Sequence, residues 1–222
     1  MWFYYYIPKK IFCKFSEKTF ILFAIINENT INVSDLYSFS KLMKYFPKLI
    51  WEKVYLSPLN PDDAETLTKW WCDERISKNT TMISQVPTLA WEKKWLEEEH
   101  SKYTFAIVKK EWDELLWTIE LWDVNFINQT AELGIAIWNF EEHNKGYWTD
   151  AVKTIIEFGF NTLNLYNISL RVKSFNKNGI ACYKKCGFKE AWAKHHSQYY
   201  DWERYDLIFM EVLKPDREKL NK

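Results

Sequence analysis

Glycine is scarce in this chain, with 5 residues in 222 where ordinary usage would give about 15. Collagen-like repeats and glycine-rich linkers are therefore excluded, and each remaining glycine becomes informative. The four cysteines, Cys13, Cys72, Cys182 and Cys186, match no zinc or redox spacing. Cys182 and Cys186 lie four apart, one above the other on a helix, without a second Cys or His pair to complete a metal site. Reduced thiols in a cytoplasmic protein are expected. No run reaches the roughly 18 apolar residues that span a bilayer. Thr19–Ile26 follows several lysines as a signal segment would, but Asn27-Glu28-Asn29 follows it in place of a small-residue cleavage site. Net charge is zero, and the basic excess is confined to residues 1–50. The rest is mildly acidic, which argues against nucleic acid as a partner and suits a cationic one.

Tryptophan, by contrast, is abundant, with 13 residues, and several stand where glycine is expected. Asp201-Trp202-Glu203 joins two strand-like runs where a tight hairpin favours Asp-Gly. Trp112 sits in the turn-like Lys-Glu-Trp-Asp-Glu, and Trp117, Trp148 and Trp192 raise the same question. Some of these tryptophans are read as replacing glycines or other residues of a parent sequence.

Hydrophobic content of 47% is ample for one packed domain. Residues 1–50 show neither helical nor strand periodicity apart from a short amphipathic stretch over 35–46, and form an extension of unknown structure. Residues 51–215 carry regular signals, and 216–222 read as a tail. Lys53–Leu59 alternates as a strand. Asn60-Pro61-Asp62-Asp63 is a helix start, with a capping residue, proline at the first position and carboxylates at the positive end of the dipole. That helix is expected to reach about Arg75, and a second begins near Thr88. Tyr103–Lys109, Leu115–Val124 and Ala131–Trp138 read as an antiparallel meander. From Gly146 to about Leu163 the apolar residues recur at helical spacing. Strand Tyr166–Val172, helix Asn178–Cys186 and two strands within Phe188–Leu213 complete the order. This predicts an α/β (α+β) fold: a mixed, mostly antiparallel central sheet flanked by helices.

The chemistry concentrates in two stretches. In Ile135–Thr149 an apolar strand ends, a polar loop turns and a helix opens at Gly146, aiming backbone N–H groups and a helix dipole at one spot. Asn176–Phe188 reads Asn-Lys-Asn-Gly-Ile-Ala-Cys-Tyr-Lys-Lys-Cys-Gly-Phe. Together they resemble the acetyl-CoA signature of the GCN5-related N-acetyltransferases, a family with the acyl-CoA N-acyltransferase fold. The first resembles its Gln/Arg-x-x-Gly-x-Gly/Ala loop, and the second its Asn-x-x-Ala/Ser followed by Tyr and Gly-Phe. The resemblance extends over residues 53–213.

The resemblance implies a transferase that moves an acetyl group from acetyl-CoA to a primary amine by direct attack, without metal or covalent intermediate. Ala136, Ile137 and Trp138 would pair with the pantetheine arm like an added strand. His143, Asn144, Lys145, Gly146, Tyr147, Trp148 and Thr149 would cradle the pyrophosphate. Asn176 would hydrogen-bond the cofactor, and Tyr183 would protonate the departing thiolate. Two departures stand out: His143 replaces Gln or Arg, and Trp148 replaces a small residue and is expected to crowd the phosphates. A base must accept the ammonium proton, and Glu120 and Glu132 are the candidates, with Asp123 behind.

Thr118–Ile137, Phe158-Gly159-Phe160 and Leu163-Asn164-Leu165-Tyr166 are similar to the spermidine and ribosomal-protein branches. A polyamine such as spermidine or a protein N-terminus is the expected acceptor, with Glu120, Asp123 and Asn125 lining its side. A homodimer is expected by analogy; nucleic acid, membrane and metal partners are not. His195 and His196 would face opposite sides of a strand, which disfavours a metal site between them. Two other readings remain open: a binding module whose cofactor site Trp148 blocks, and a membrane-peripheral protein anchored by residues 1–50.

Overall fold

The computed structural model describes residues 44–135 and 145–220. Eight strands form one sheet in the order β1-β2-β3-β4-β5-β6-β8-β7. Their ranges are β1 Leu49–Ile50, β2 Val54–Ser57, β3 Thr104–Lys109, β4 Glu114–Asn125, β5 Thr130–Ile135, β6 Asn167–Lys173, β7 Lys189–Tyr200 and β8 Glu203–Leu213. Every neighbouring pair is antiparallel except β5 and β6. The mixed, mostly antiparallel sheet expected from the order of elements is therefore observed.

The helices start where local chemistry says they should. Asn60 caps a short 3-10 turn by accepting from the Asp62 amide at 2.9 Å, and α1 (Ala64–Trp71) follows. The expected single helix to Arg75 is interrupted, because Asp73 adopts an extended backbone and its carboxylate accepts from the Arg75 amide, capping a separate turn, α2 (Glu74–Ser77). Thr88 caps α3 (Leu89–Lys94) through a bond from the Trp91 amide. In α4 (Tyr147–Glu157), Ala151, Val152, Ile155 and Ile156 form the buried stripe. Asn176 caps α5 (Lys177–Lys185), and α6 (Lys214–Leu220) ends the described chain.

The main core lies between α4 and the sheet, where Leu56, Ile119, Leu121, Leu133, Ile168, Leu170 and Met210 meet the α4 stripe. A second cluster joins Tyr45, Tyr55, Ala106 and Val108, and a third joins α1 to Leu96. Residues 44–50 belong with the sheet and not with the extension: β1 pairs with β2, and the Tyr45 hydroxyl donates to the buried Asp63 at 2.8 Å. The C-terminal segment is likewise docked. Arg217 is buried against Glu157 with a 3.0 Å ion pair, and Lys189 holds Asp216.

Three of the questioned tryptophans resolve differently. Trp202 occupies a hairpin turn at φ 62° beside Asp201 at 48°, left-handed backbone that suits glycine. Trp117, in contrast, is a core residue, stacked on Trp70 and edge-on to Trp71. Trp192 stacks on Phe209 across the β7–β8 ladder. Among the described residues, no helix is long and apolar enough to cross a membrane.

Candidate active site

β5 and β6 begin side by side and then part. Thr130, Ala131 and Glu132 pair with Asn167, Ile168 and Ser169, and the ladder stops there. Beyond it, Leu133, Gly134 and Ile135 pair only with β4, while Leu170–Lys173 pair only with β8. The centre of the sheet therefore opens into a wedge toward the C-terminal ends of both strands. Its edges carry backbone N–H and C=O groups in strand geometry, an arrangement that accepts an extended chain of amides.

α4 starts near this opening. Gly146 sits at its N-terminus with φ 84°, a conformation that suits glycine. A Cβ there would also lie 3.1 Å from the Lys53 ammonium, which donates to the Lys145 carbonyl at 2.6 Å. The first intrahelical bond is from the Asp150 amide to the Gly146 carbonyl, so the amides of Tyr147, Trp148 and Thr149 have no acceptor within the helix. Buried Asp150 fixes the helix start to the sheet, accepting from the amides of Lys53 at 2.8 Å and Val54 at 3.0 Å. Oriented amides at the positive end of a helix form an anion site.

Trp148 fills the first turn of α4. Its ring lies 6.1 Å from that of Tyr183, and its indole nitrogen is buried without a hydrogen-bond partner. Tyr183 itself is buried on α5, which raises its pKa well above the usual phenol range; the neighbouring thiols Cys182 and Cys186 add to the shift. A phenol so placed keeps its proton. The Asn176 side-chain oxygen is committed to the α5 cap, accepting from the Gly179 amide at 3.0 Å. Any cofactor contact by Asn176 therefore falls to its NH2 group.

The two candidate carboxylates occupy different environments. Thr104, Glu120 and Gly134 stand in line across β3, β4 and β5. Glu120 lies over Gly134, where a Cβ would come within 2.9 Å of its side chain. Only glycine leaves the carboxylate room at the wedge's edge. Thr104 donates to Glu120 Oε2 at 3.1 Å, and burial raises the Glu120 pKa, opposed by Thr104 and His100. Glu132 instead pairs with Arg171 across β5 and β6, and the guanidinium also covers the Trp122 ring at 5.0 Å. Arg171 thus holds Glu132 where β5 and β6 are still paired, whereas Glu120 stands beside the part of β5 that β6 has left.

Asp123 and Asn125 do not join Glu120. They lie toward the β4–β5 turn, at the closed end of the wedge, where Asn125 accepts from the Asn128 amide. Past the end of β6 stand residues that local sequence gave no reason to group. Phe175, Tyr200 and Tyr205 form an aromatic cluster just beyond β6. The Tyr200 hydroxyl donates to Glu74 at 3.2 Å, and that of Tyr205 to Glu203 at 2.6 Å. The Lys78 ammonium already lies 5.9 Å from the centre of the Tyr200 ring. Aromatic faces and carboxylates together are a cation-binding chemistry.

Of the residues expected to contact a cofactor, Ala136, Ile137, Trp138, His143 and Asn144 lie outside the described residues. Lys145, Gly146, Tyr147, Trp148 and Thr149 are brought to the start of α4, and Tyr183 joins them through Trp148. His195 and His196 are drawn to one carboxylate: Asp206 lies 3.0 Å from His195 Nδ1 and accepts from the His196 amide, which fixes a bulge in β7. No metal-binding group of three or more His, Cys, Asp or Glu occurs among the described residues.

The acetyltransferase (GNAT) domain family matches residues 53–189. The chain is 27% identical over 144 residues to the N-acetyltransferase p20 of Bacillus licheniformis, spanning 63% of this chain and 80% of that protein. It is 39% identical over 70 residues to the spermidine N(1)-acetyltransferase of Escherichia coli K12, spanning 32% of this chain and 37% of that one. Among solved structures, the spermidine N-acetyltransferase of Vibrio cholerae in complex with CoA and spermine superimposes with a TM-score of 0.65 at 20% identity. That match covers 75% of this chain and 98% of the other.

Proposed function

Because the chain belongs to the acetyltransferase (GNAT) family, we propose that it acetylates a small polycationic amine of the spermidine type, using acetyl-CoA. Two observations carry the acceptor class: Glu120 stands beside the part of β5 that β6 has left, and beyond the end of β6 the Phe175–Tyr200–Tyr205 cluster carries the carboxylates of Glu74 and Glu203. The relatives named as spermidine acetyltransferases support the same class.

The residues present fit acetyl-CoA, which supplies an activated acyl group. The unpaired edge of β5 suits the amides of the pantetheine arm, and the start of α4 suits a pyrophosphate. Glu120 takes the proton from the incoming ammonium through its Oε1, while Thr104 holds Oε2. Burial pushes the Glu120 pKa up toward that of a useful base. Tyr183, kept protonated by burial, donates to the departing thiolate. Arg171 and Glu132 tie β5 to β6 where the wedge begins.

A second reading is favoured by Trp148, whose indole occupies the first turn of α4 with its N–H unpartnered. In it the indole closes the phosphate site, and the fold serves as a binding module. Release of free thiol from acetyl-CoA, measured with spermidine, an N-terminal peptide and an aminoglycoside as acceptors, separates these readings. Spermidine-dependent release with the lowest KM is expected. Peptide preference would overturn the acceptor class, and no release with any amine would favour the binding module.

A further inference from the structure

Two of the chain's own ammonium groups lie on the aromatic cluster beyond β6. That of Lys173 is 5.9 Å from the centre of the Phe175 ring, and that of Lys78 is 5.9 Å from the centre of the Tyr200 ring. Phe175 meets Tyr200 at 5.7 Å and Tyr205 at 4.8 Å, so both cations share one aromatic surface. They are held differently. Lys173 donates to the carbonyls of Lys78 at 2.7 Å and Thr80 at 2.9 Å, which ties β6 to the end of α2. The Lys78 ammonium reaches its ring on a long flexible stem. We propose that Lys78 is a specificity-determining residue for the amine: its ammonium occupies the place on Tyr200 that an ammonium of the acceptor takes, and the acceptor displaces it.

Local geometry puts Lys78 there. Its amide closes the α2 turn on the Glu74 carbonyl at 3.0 Å. Glu74 and Lys78 are therefore four residues apart on one face of that turn. Tyr200 receives both, since its hydroxyl donates to Glu74 Oε1 at 3.2 Å and its ring faces Lys78. A carboxylate beside an aromatic face is the chemistry of an ammonium site. Lys78, Phe175 and Tyr200 are each half-buried, and partial desolvation strengthens a cation–π contact.

A tethered cation has little freedom to lose, so it competes with a free amine at high effective concentration. Its charge also repels an incoming ammonium. A monoamine gains no more on the ring than it displaces. A polyamine brings further ammonium groups, and Glu74 and Glu203, both held at the cluster by tyrosine hydroxyls, can take them. Lys78 thus disfavours monoamines more than polycations. This role rests on the acceptor class proposed above.

The test follows thiol release from acetyl-CoA by the full chain, with spermidine and n-butylamine as acceptors. Lys78→Met keeps the stem and removes the charge, whereas Lys78→Arg keeps the charge. Lys78→Met should lower the spermidine KM roughly two- to fivefold, the worth of a partly exposed cation–π contact. The change should fall on the amine KM and not on kcat or the acetyl-CoA KM. The butylamine KM should fall further, which narrows the preference for spermidine, and Lys78→Arg should retain that preference. Tyr200→Leu should raise the spermidine KM and cancel the effect of Lys78→Met in the double variant, because the competition takes place on that ring. A spermidine KM unchanged or raised in Lys78→Met would overturn the proposal, as would an equal gain in the Tyr200→Leu background. Calorimetry of spermidine in the presence of CoA separates this role from acetyl transfer itself. Tighter binding by Lys78→Met with no thiol release from either protein supports the displacement and refutes the transfer. No spermidine binding by either protein refutes the acceptor class, and the role of Lys78 falls with it.

Discussion

Glu92 offers a test of the packing between α1 and α3. Its side chain is wholly buried and neither carboxylate oxygen has a hydrogen-bond partner. Burial raises its pKa from 4.5 to about 7, and the nearby Trp71 indole, which falls short of hydrogen-bond geometry, only partly opposes this. In the unfolded chain the group ionises near the ordinary value, so between these two pH values the folded state binds more protons. Stability therefore falls as pH rises from about 4.5 through 7 and is then constant as far as this group is concerned. At about 1.36 kcal/mol per pH unit, a rise from 4.5 to about 7 sets an upper bound of ~3.4 kcal/mol, and relaxation around the ion brings the expected loss to about 2–3 kcal/mol. Glu92→Gln removes the charge but keeps the shape and a polar amide, and Glu92→Met removes both. Thermal melts of wild type and both variants from pH 4.5 to 8.5 isolate the effect from other titrating groups. At about 2–4 °C per kcal/mol for a domain of this size, both variants should gain roughly 4–12 °C over wild type on going from the acid to the alkaline end. Parallel Tm profiles would refute the claim that an ionisable carboxyl is enclosed between these helices.

Three further outcomes follow from the site and the turns. Glu120→Gln should lower kcat/KM by roughly 10²–10³, the range of a general base. It should also abolish the rise in rate with pH that wild type shows as its burial-raised carboxyl ionises; a retained rise would assign the base elsewhere. Trp148→Gly should tighten acetyl-CoA binding by about 1 kcal/mol, roughly fivefold, and equal dissociation constants by calorimetry would show that the indole does not crowd the phosphates. Trp202→Gly should raise stability by about 0.5–1 kcal/mol, because relief of a left-handed residue outweighs the added freedom of the unfolded chain. A lower urea midpoint would contradict it.

The sequence made local features legible and left non-local ones hidden. Asn60-Pro61, Thr88 and Asn176 each cap a helix through their own side chains, so a few residues sufficed to read them. The α4 stripe and the Asp201-Trp202 hairpin are equally local. The break at Asp73 is not legible in the sequence, because its extended backbone and its bond from the Arg75 amide interrupt an otherwise continuous helical pattern. Pairing of Glu132 with Arg171 depends on the register of two strands separated by a helix, which no local signal encodes. The same holds for Glu74 with Tyr200, 126 residues apart. Gly134 carries no local signal in the sequence, and its role follows from Glu120 lying over it across two strands. Residues 44–50 carried no strand periodicity, and their place at the sheet edge rests on Tyr45, Phe46 and Lys48 bonding to partners beyond them.

The proposed acetyl transfer requires the wedge between β5 and β6 and the start of α4 to receive acetyl-CoA. The direct measurement is a thermal melt of the purified chain with and without excess acetyl-CoA. A ligand that binds only the folded state raises stability by about 2.7 kcal/mol at a hundredfold excess over Kd, so a Tm increase of roughly 5–10 °C is predicted. A cooperative melt at the same temperature with and without acetyl-CoA would contradict the account and leave Trp148 as the group that has closed the site.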